Sequence, residues 1–392
     1  MTTYKDTPVS SPALPVKVSA RRVRTTEARN AAGAVPRFHV KRSHRVAGAA
    51  VIAVSGLALT SCVGPPADEW AGGAEDATCP VTPAEAGGSL RIGYLGGPAA
   101  DLYTQDQGLA EACLPNAEIS WTRFPTGQDI VQGFAAGSVD MAALGSTPTT
   151  KALSAPLNLD VSVISANSVI GATEALVAKK ATSVPELKGQ RIAVPFSSTA
   201  HYSLLNALID AGLDPQRDVE IVNISPDKLP AAWKSDQIDA AYVWDPTLEQ
   251  LKQGTGGAPQ GHVLTDSEEQ AAAGHATYNV TLATNPWIDG NSELLRVFLE
   301  LEAWVVDHAD EDPDDFGKVN ASASGMDEDS ASRQIEGQIL IHGSEEPEYL
   351  AEVAGALYST AEFLRDQGEI PSVKPADAYA AATRPDLWKD IQ

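Results

Sequence analysis

From Leu90 onward, short apolar strands alternate with helices, and this alternation constrains the fold more than any other feature. Leu90-Arg91-Ile92-Gly93-Tyr94-Leu95 reads as a strand, Gly96-Gly97-Pro98 as a turn and Leu102–Ala112 as a helix. A second strand over Ala117–Thr122 leads through Pro125-Thr126-Gly127 to a helix over Gln128–Ala136, whose Ile130, Val131 and Phe134 share one face. The strand Val139–Leu144 follows. Parallel strands need long crossovers, so a β-α-β-α-β run predicts a parallel sheet with helices packed on it.

Strands at Val161–Ser165 and Glu174–Ala178 precede a second strand-helix set. It comprises strand Arg191–Val194, helix Ala200–Ala211, strand Val219–Val222, helix Lys228–Lys234 and strand Ala240–Trp244. A strand near Thr277–Thr284 brings the chain back, and residues 292–309, 328–340 and 346–367 carry helical periodicity. Two α/β units joined by strands that leave and return predict two lobes with a cleft, where ligands gather at the carboxyl ends of parallel strands. The expected division is lobe 1 over 89–177 and 278–392, and lobe 2 over 178–277.

Charge is distributed unevenly. Residues 1–46 hold ten Lys and Arg against Asp6 and Glu27, a net +8, so the rest carries −32 of the formal −24. Such an acidic body repels polyanions, which argues against nucleic acid as a partner. The basic stretch runs into the apolar segment Val46–Leu59, which has the length of a signal-peptide core and falls short of the ~20 residues that span a membrane. Leu59-Thr60-Ser61-Cys62 then resembles a bacterial lipobox. The expectation is an exported protein with residues 1–61 as signal and basic extension, lipid on Cys62 and a membrane held through that anchor. Residues 62–88, rich in Gly, Ala, Pro and acidic side chains, read as a flexible tether. Cys79 and Cys113 remain, and an even pair in an exported chain predicts one disulfide.

Two segments share the order strand, small polar turn, helix. In Leu144-Gly145-Ser146-Thr147-Pro148 the glycine permits a tight turn, Ser146 or Thr147 can cap, and Pro148 suits the first helical turn. In Pro195-Phe196-Ser197-Ser198-Thr199-Ala200-His201-Tyr202, three hydroxyl residues precede a helix. Unpaired N–H groups and the positive dipole end make such starts anion sites without Lys or Arg, although plain capping has the same appearance. Candidates for a cationic ligand group are Glu174, Trp244 at a strand end, and Asp245. No G-x-S-x-G elbow, H-E-x-x-H, phosphate loop or metal-spaced Cys/His cluster occurs, and His201 has no nucleophile at a diagnostic spacing. The residues therefore point to a binding protein with no catalytic residue, cofactor or metal, and nothing in them points beyond a monomer.

The run Arg191-Ile192-Ala193-Val194-Pro195-Phe196-Ser197-Ser198-Thr199-Ala200-His201-Tyr202-Ser203-Leu204-Leu205 resembles the taurine-binding proteins of ABC importers, within the wider sulfonate and nitrate binding family. The likeness continues through Pro230-Ala231-Ala232-Trp233, Gln237–Trp244, Val263–Ser267, Gly145–Pro148 and Thr173–Val177. It implies a type II periplasmic-binding-protein fold that closes on a sulfonate and delivers it to a permease and an ATPase. By position it implies that Ser146, Thr147, Thr199 and His201 meet the sulfonate, Glu174 faces the amine and Trp244 the short carbon chain, with Gly145, Ser198, Tyr202, Asp245 and Asn279 completing the expected ligand-binding set. The family usually carries an Asp where Asn279 stands, and Asp245 replaces a small residue. Either Asp245 supplies the missing charge or the ligand is a sulfonate lacking an amine. The same fold also serves other alkanesulfonates, nitrate or a thiamine-precursor pyrimidine as ligand, and an enzyme of that pyrimidine class.

Overall fold

The computed structural model describes residues 77–389 and 391. The signal segment, Cys62 and residues 62–76 of the expected tether lie outside the described residues. Eleven strands are described: β1 Gly88–Tyr94, β2 Ala117–Arg123, β3 Met141–Gly145, β4 Val161–Ile170, β5 Glu174–Ala178, β6 Arg191–Val194, β7 Glu220–Asn223, β8 Ala240–Trp244, β9 His262–Asp266, β10 Tyr278–Thr284 and β11 Gln338–Leu340. They form two sheets. The first has the order β11-β4-β10-β3-β1-β2 and the second β7-β6-β8-β5-β9.

In the first sheet β1 pairs parallel with β2 and β3, as the alternation predicted, and the returning β10 inserts antiparallel between β3 and β4. In the second, β6 pairs parallel with β7 and β8, while β5 runs antiparallel to β8 and β9. Side chains alternate across this sheet with period two. Ile192, Val194, Ala240 and Tyr242 enter a core shared with Leu204 and Leu208. Ala193, Ala241 and Val243 face the opposite core, built on Trp233, Leu248 and Leu251. Covering on both faces explains why these strands read as unbroken apolar runs.

Three expectations need correction. β5 was placed in lobe 1, yet Glu174–Ala178 pairs with β8 and β9, so the chain crosses to the second lobe over residues 171–173. Residues 338–340 were read as helix, whereas the helix Glu328–Glu336 stops before Gly337 and β11 pairs with β4 as an edge strand. A Cβ at Gly337 would lie 2.9 Å from Thr173 Cγ2, so the turn packs against the crossover too closely for a side chain. The helix expected over 102–112 is two helices, Ala100–Asp106 and Leu109–Cys113, divided at Gly108 with φ 61°.

The described end of the expected tether is fixed to the first lobe. A disulfide joins Cys79 to Cys113, the Ala84 N–H donates to the Cys113 carbonyl at 3.0 Å, and Asn116 donates to the Glu85 carbonyl. Three long helices complete this lobe: Ser292–Glu311, Pro313–Ser324 and Glu346–Asp366. Among the described residues no helix is long and apolar enough to cross a membrane.

Candidate functional site

The carboxyl ends of four strands converge between the lobes. β1 runs into Leu95–Asp101, β3 ends at Gly145, β8 ends at Trp244, and β6 leads through Pro195 to Ser198 and Thr199. These segments line one hollow of about 120 Å³, joined by Asn167 and Ser168 of β4, Glu174 of β5, Asn279 of β10, and Gln334 and Gln338 from the tail. Its walls are apolar at Leu95, Pro98, Leu144, Ile170, Trp244 and Leu340. Among the described residues no Lys, Arg or His lines it, whereas the carboxylates Asp101 and Glu174 do.

The two helix starts singled out in the sequence meet here. Helix Ser146–Leu153 begins at Gly145 and no side chain caps it. Helix Thr199–Asp210 begins beside it, so close that a Cβ on Gly145 would lie 2.7 Å from Thr199 Cγ2. Their electrostatics differ, however. The Thr199 helix start is already faced by a protein carboxylate. Glu174 accepts hydrogen bonds from Thr199 Oγ1 at 2.5 Å, from Ser267 Oγ at 2.8 Å and from the Ala200 N–H. Burial still pushes the Glu174 carboxyl up to about 7, outweighing those donors. Of these two helix starts, the one at Gly145 presents its dipole to the hollow without a side-chain cap.

Of the residues expected at the site, Gly145, Glu174, Ser198, Thr199, Trp244 and Asn279 line the hollow, whereas Ser146, Thr147, His201, Tyr202 and Asp245 do not. Ser146 is buried and its Oγ accepts from the Tyr278 N–H, tying the helix to β10. Thr147 is fully buried and its Oγ1 finds no partner. The His201 ring stacks on Phe196 at 4.8 Å, its Nδ1 accepts from the Ser197 N–H, and burial pushes its pKa down to about 4, so it is neutral near pH 7. Tyr202 meets Phe363 edge-on at 5.0 Å, joining the second lobe to the helix Glu346–Asp366. Asp245 accepts from the Glu249 N–H at 2.9 Å and serves the helix Thr247–Gln253. Ser198 caps its own helix by accepting from the His201 N–H at 3.1 Å.

Sequence reasoning missed Asp101, Asn167, Ser168, Gln334 and Gln338. For the first, a signal existed: the Gly96-Gly97-Pro98 turn follows a parallel strand, where ligand residues collect. Gln334 and Gln338 belong to no motif and arrive only through packing of the tail. In β4 and β10 a polar ladder orders the floor, with Asn279 Nδ2 donating to Ser168 Oγ at 3.1 Å and Ser168 Oγ donating to Gln338 Oε1 at 2.9 Å. Asn279 therefore serves as a neutral link, and it carries no charge to the ligand.

An ion pair spans the lobes near this tail: Arg333, next to Gln334, reaches Glu249 of the second lobe at 3.4 Å. Exposed pairs contribute about 0.2–1 kcal/mol. Arg333→Ala is thus expected to change ligand affinity by no more than about fivefold, measured by titration calorimetry. A larger loss would mean that the pair governs closure. Among the described residues no group of three His, Cys, Asp or Glu is placed to hold a metal ion.

Comparison with known proteins agrees with this architecture. The profile of the NMT1-like family matches residues 99–300. The taurine-binding periplasmic protein of Escherichia coli (strain K12) is 35% identical over 266 residues, covering 66% of this chain and 80% of that protein. A putative aliphatic sulfonates-binding protein of the same organism is 29% identical over 170 residues, covering 40% of this chain and 50% of the relative. Among solved structures, the alkanesulfonate-binding protein SsuA from Xanthomonas axonopodis pv. citri, bound to MOPS, superposes with a TM-score of 0.63 at 22% identity, over 77% of this chain and 99% of that one. The desulfurization enzyme DSZB shares the fold with a TM-score of 0.56 at 16% identity, over 77% of this chain and 98% of that one, so the fold alone does not separate binder from enzyme. With two α/β lobes around one hollow and these relatives, the chain belongs to the NMT1-like family and has the fold of the periplasmic binding proteins.

Proposed function

We propose that this chain is the substrate-binding component of an ABC importer and captures taurine, a short sulfonate bearing its own ammonium group. One observation carries the reading: a small hollow offers an uncapped helix start to an anion and the Asp101 carboxylate to a cation, with no cationic side chain among the described residues of its lining. A plain anion would meet the dipole of the Gly145 helix but also the like charge of Asp101. A zwitterion satisfies both ends and enters with no net charge. The name of the relative from Escherichia coli supports taurine over longer sulfonates.

The wider reading completes this role. The protein is exported, anchored through lipid on Cys62 at the outer face of the cytoplasmic membrane, acts as a monomer, and hands its ligand to a permease driven by an ATPase. It performs no chemistry on the ligand. The hollow supports this, since His201 is buried away from it and neutral near pH 7.

Titration calorimetry on the purified full chain is expected to give a micromolar or tighter Kd for taurine. Ligand at 100 times Kd should stabilise the fold by about 2.7 kcal/mol, raising its melting temperature. Taurine recovered after long incubation should be unchanged. No heat with taurine, together with clear heat for a longer alkanesulfonate or nitrate, would transfer the role to that ligand. Conversion of the ligand would replace the binder with an enzyme.

A further inference from the structure

We infer that Asp101, together with Gln334 from the tail, is the acceptor set that recognises the ligand's ammonium group and selects amino-sulfonates over plain sulfonates. The inference rests on the functional reading above and deepens it. Asp101 stands in the first turn of the helix Ala100–Asp106 and is 8% exposed, lining the hollow. Its Oδ1 accepts from the Leu102 N–H at 2.9 Å. Its own backbone N–H is a second donor to the carboxylate, and among the described residues no cation pairs with it. Gln334 is also 8% exposed and lines the same hollow, and its Oε1 is buried without a partner.

A buried carboxylate without a cation, and a buried amide oxygen without a donor, are both costly. Glu302 and Glu346, both buried, belong to the two long helices of this lobe, and Glu302 is destabilised as an anion by both Asp101 and Glu346. Glu302 is linked to the hollow through Asn167, whose Nδ2 donates to it at 3.1 Å. Among the described residues neither Asp101 nor Gln334 has a donor that carries positive charge, and an ammonium has three donors and no acceptor. Glu174, the carboxylate that the sequence pointed to, is less available because its two oxygens already serve Thr199, Ser267 and Ala200. Asp101 accepts from backbone N–H groups alone, with no side-chain donor.

Calorimetry of the full chain with taurine and with ethanesulfonate, which lacks the amine, tests the assignment. Asp101→Asn keeps the shape and removes the charge. It is expected to weaken taurine binding by about thirtyfold or more, while ethanesulfonate binds as before or more tightly. Equal losses for both ligands, or an unchanged taurine affinity, would overturn the assignment. A ligand-side measurement needs no variant: N-acetyltaurine, which has lost the ammonium charge, should bind wild type at least about thirtyfold more weakly than taurine, and equal binding would overturn the assignment as well. If wild type binds neither sulfonate, the functional reading falls and takes this inference with it. If wild type binds both and Asp101→Asn leaves their ratio unchanged, only the inference falls.

Discussion

Replacing Gly145 by alanine is expected to weaken taurine binding by about ten- to hundredfold while the lobes remain folded. The added Cβ would lie 2.7 Å from Thr199 Cγ2, closer than such atoms approach in folded proteins. Gly145 has φ −73° and ψ 157°, which any residue adopts, so the effect is steric and carries no backbone strain. Thr199 cannot turn aside freely, because its hydroxyl donates to buried Glu174. The contact is relieved by moving one lobe away from the other, which opens the hollow and leaves each core untouched. Overpacking of this kind costs about 1–3 kcal/mol, which would appear as lost affinity. Thr199→Ser on the Gly145→Ala background removes the offending methyl and keeps the hydroxyl, and should recover most of the binding. Gly355→Ala, where nothing lies within 4 Å of the new Cβ, serves as the control and should leave affinity unchanged. Failure of Thr199→Ser to rescue would mean that the two helix starts do not bear on each other.

The second large effect concerns pH. Burial pushes Glu302 up to about 8, with Asp101 and Glu346 adding repulsion, and burial pushes Glu346 up to about 7 and Asp101 up to about 6. A carboxyl raised in the folded state binds its proton more tightly there than in the unfolded chain. Its stabilising contribution is therefore complete below the unfolded value near 4.5 and is lost as pH rises through the folded value. For Glu302 the loss is on the order of 4 kcal/mol across pH 5 to 8. Glu302→Gln should melt close to wild type at pH 5 and about 5–10 °C above it at pH 8.5, measured by calorimetric scans at both values. A wild type that is equally stable at both values would show that these carboxyls titrate normally.

Much of the architecture was legible because its signals are local. β6 and β8 are short apolar strands that appear at their expected spans, β2 ends one residue later, and β1 begins two residues earlier at Gly88. The chain crossing was misplaced because β5 is apolar wherever it packs; only its pairing with β8 and β9 assigns it to a lobe. The residues 338–340 carried helical periodicity, yet contact between Gly337 and Thr173 ended the helix, an event set by a distant segment.

At the site, what could be read was the grammar of helix starts, and what could not was their occupation. Ser198, Thr199 and Gly145 were identified from the strand-turn-helix order, and they line the hollow. His201 and Tyr202 share the Thr199 helix, but its rotation turns them toward Phe196 and Phe363. Glu174 was expected to await a ligand, and it instead neutralises the dipole of the neighbouring helix, a pairing formed between residues distant in the sequence. Asp101 went unnoticed because a lone aspartate early in a helix is ordinary helix chemistry. Its meaning comes from the company of Gln334 in a hollow that no cationic side chain lines among the described residues.

A crystal structure of the full chain with taurine tests the central claim most directly. The account predicts one taurine in the hollow, its sulfonate oxygens accepting from backbone N–H groups at the helix start after Gly145 and its ammonium directed to Asp101. A sulfonate held elsewhere, or lying on the Asp101 side with the ammonium at Gly145, would contradict it.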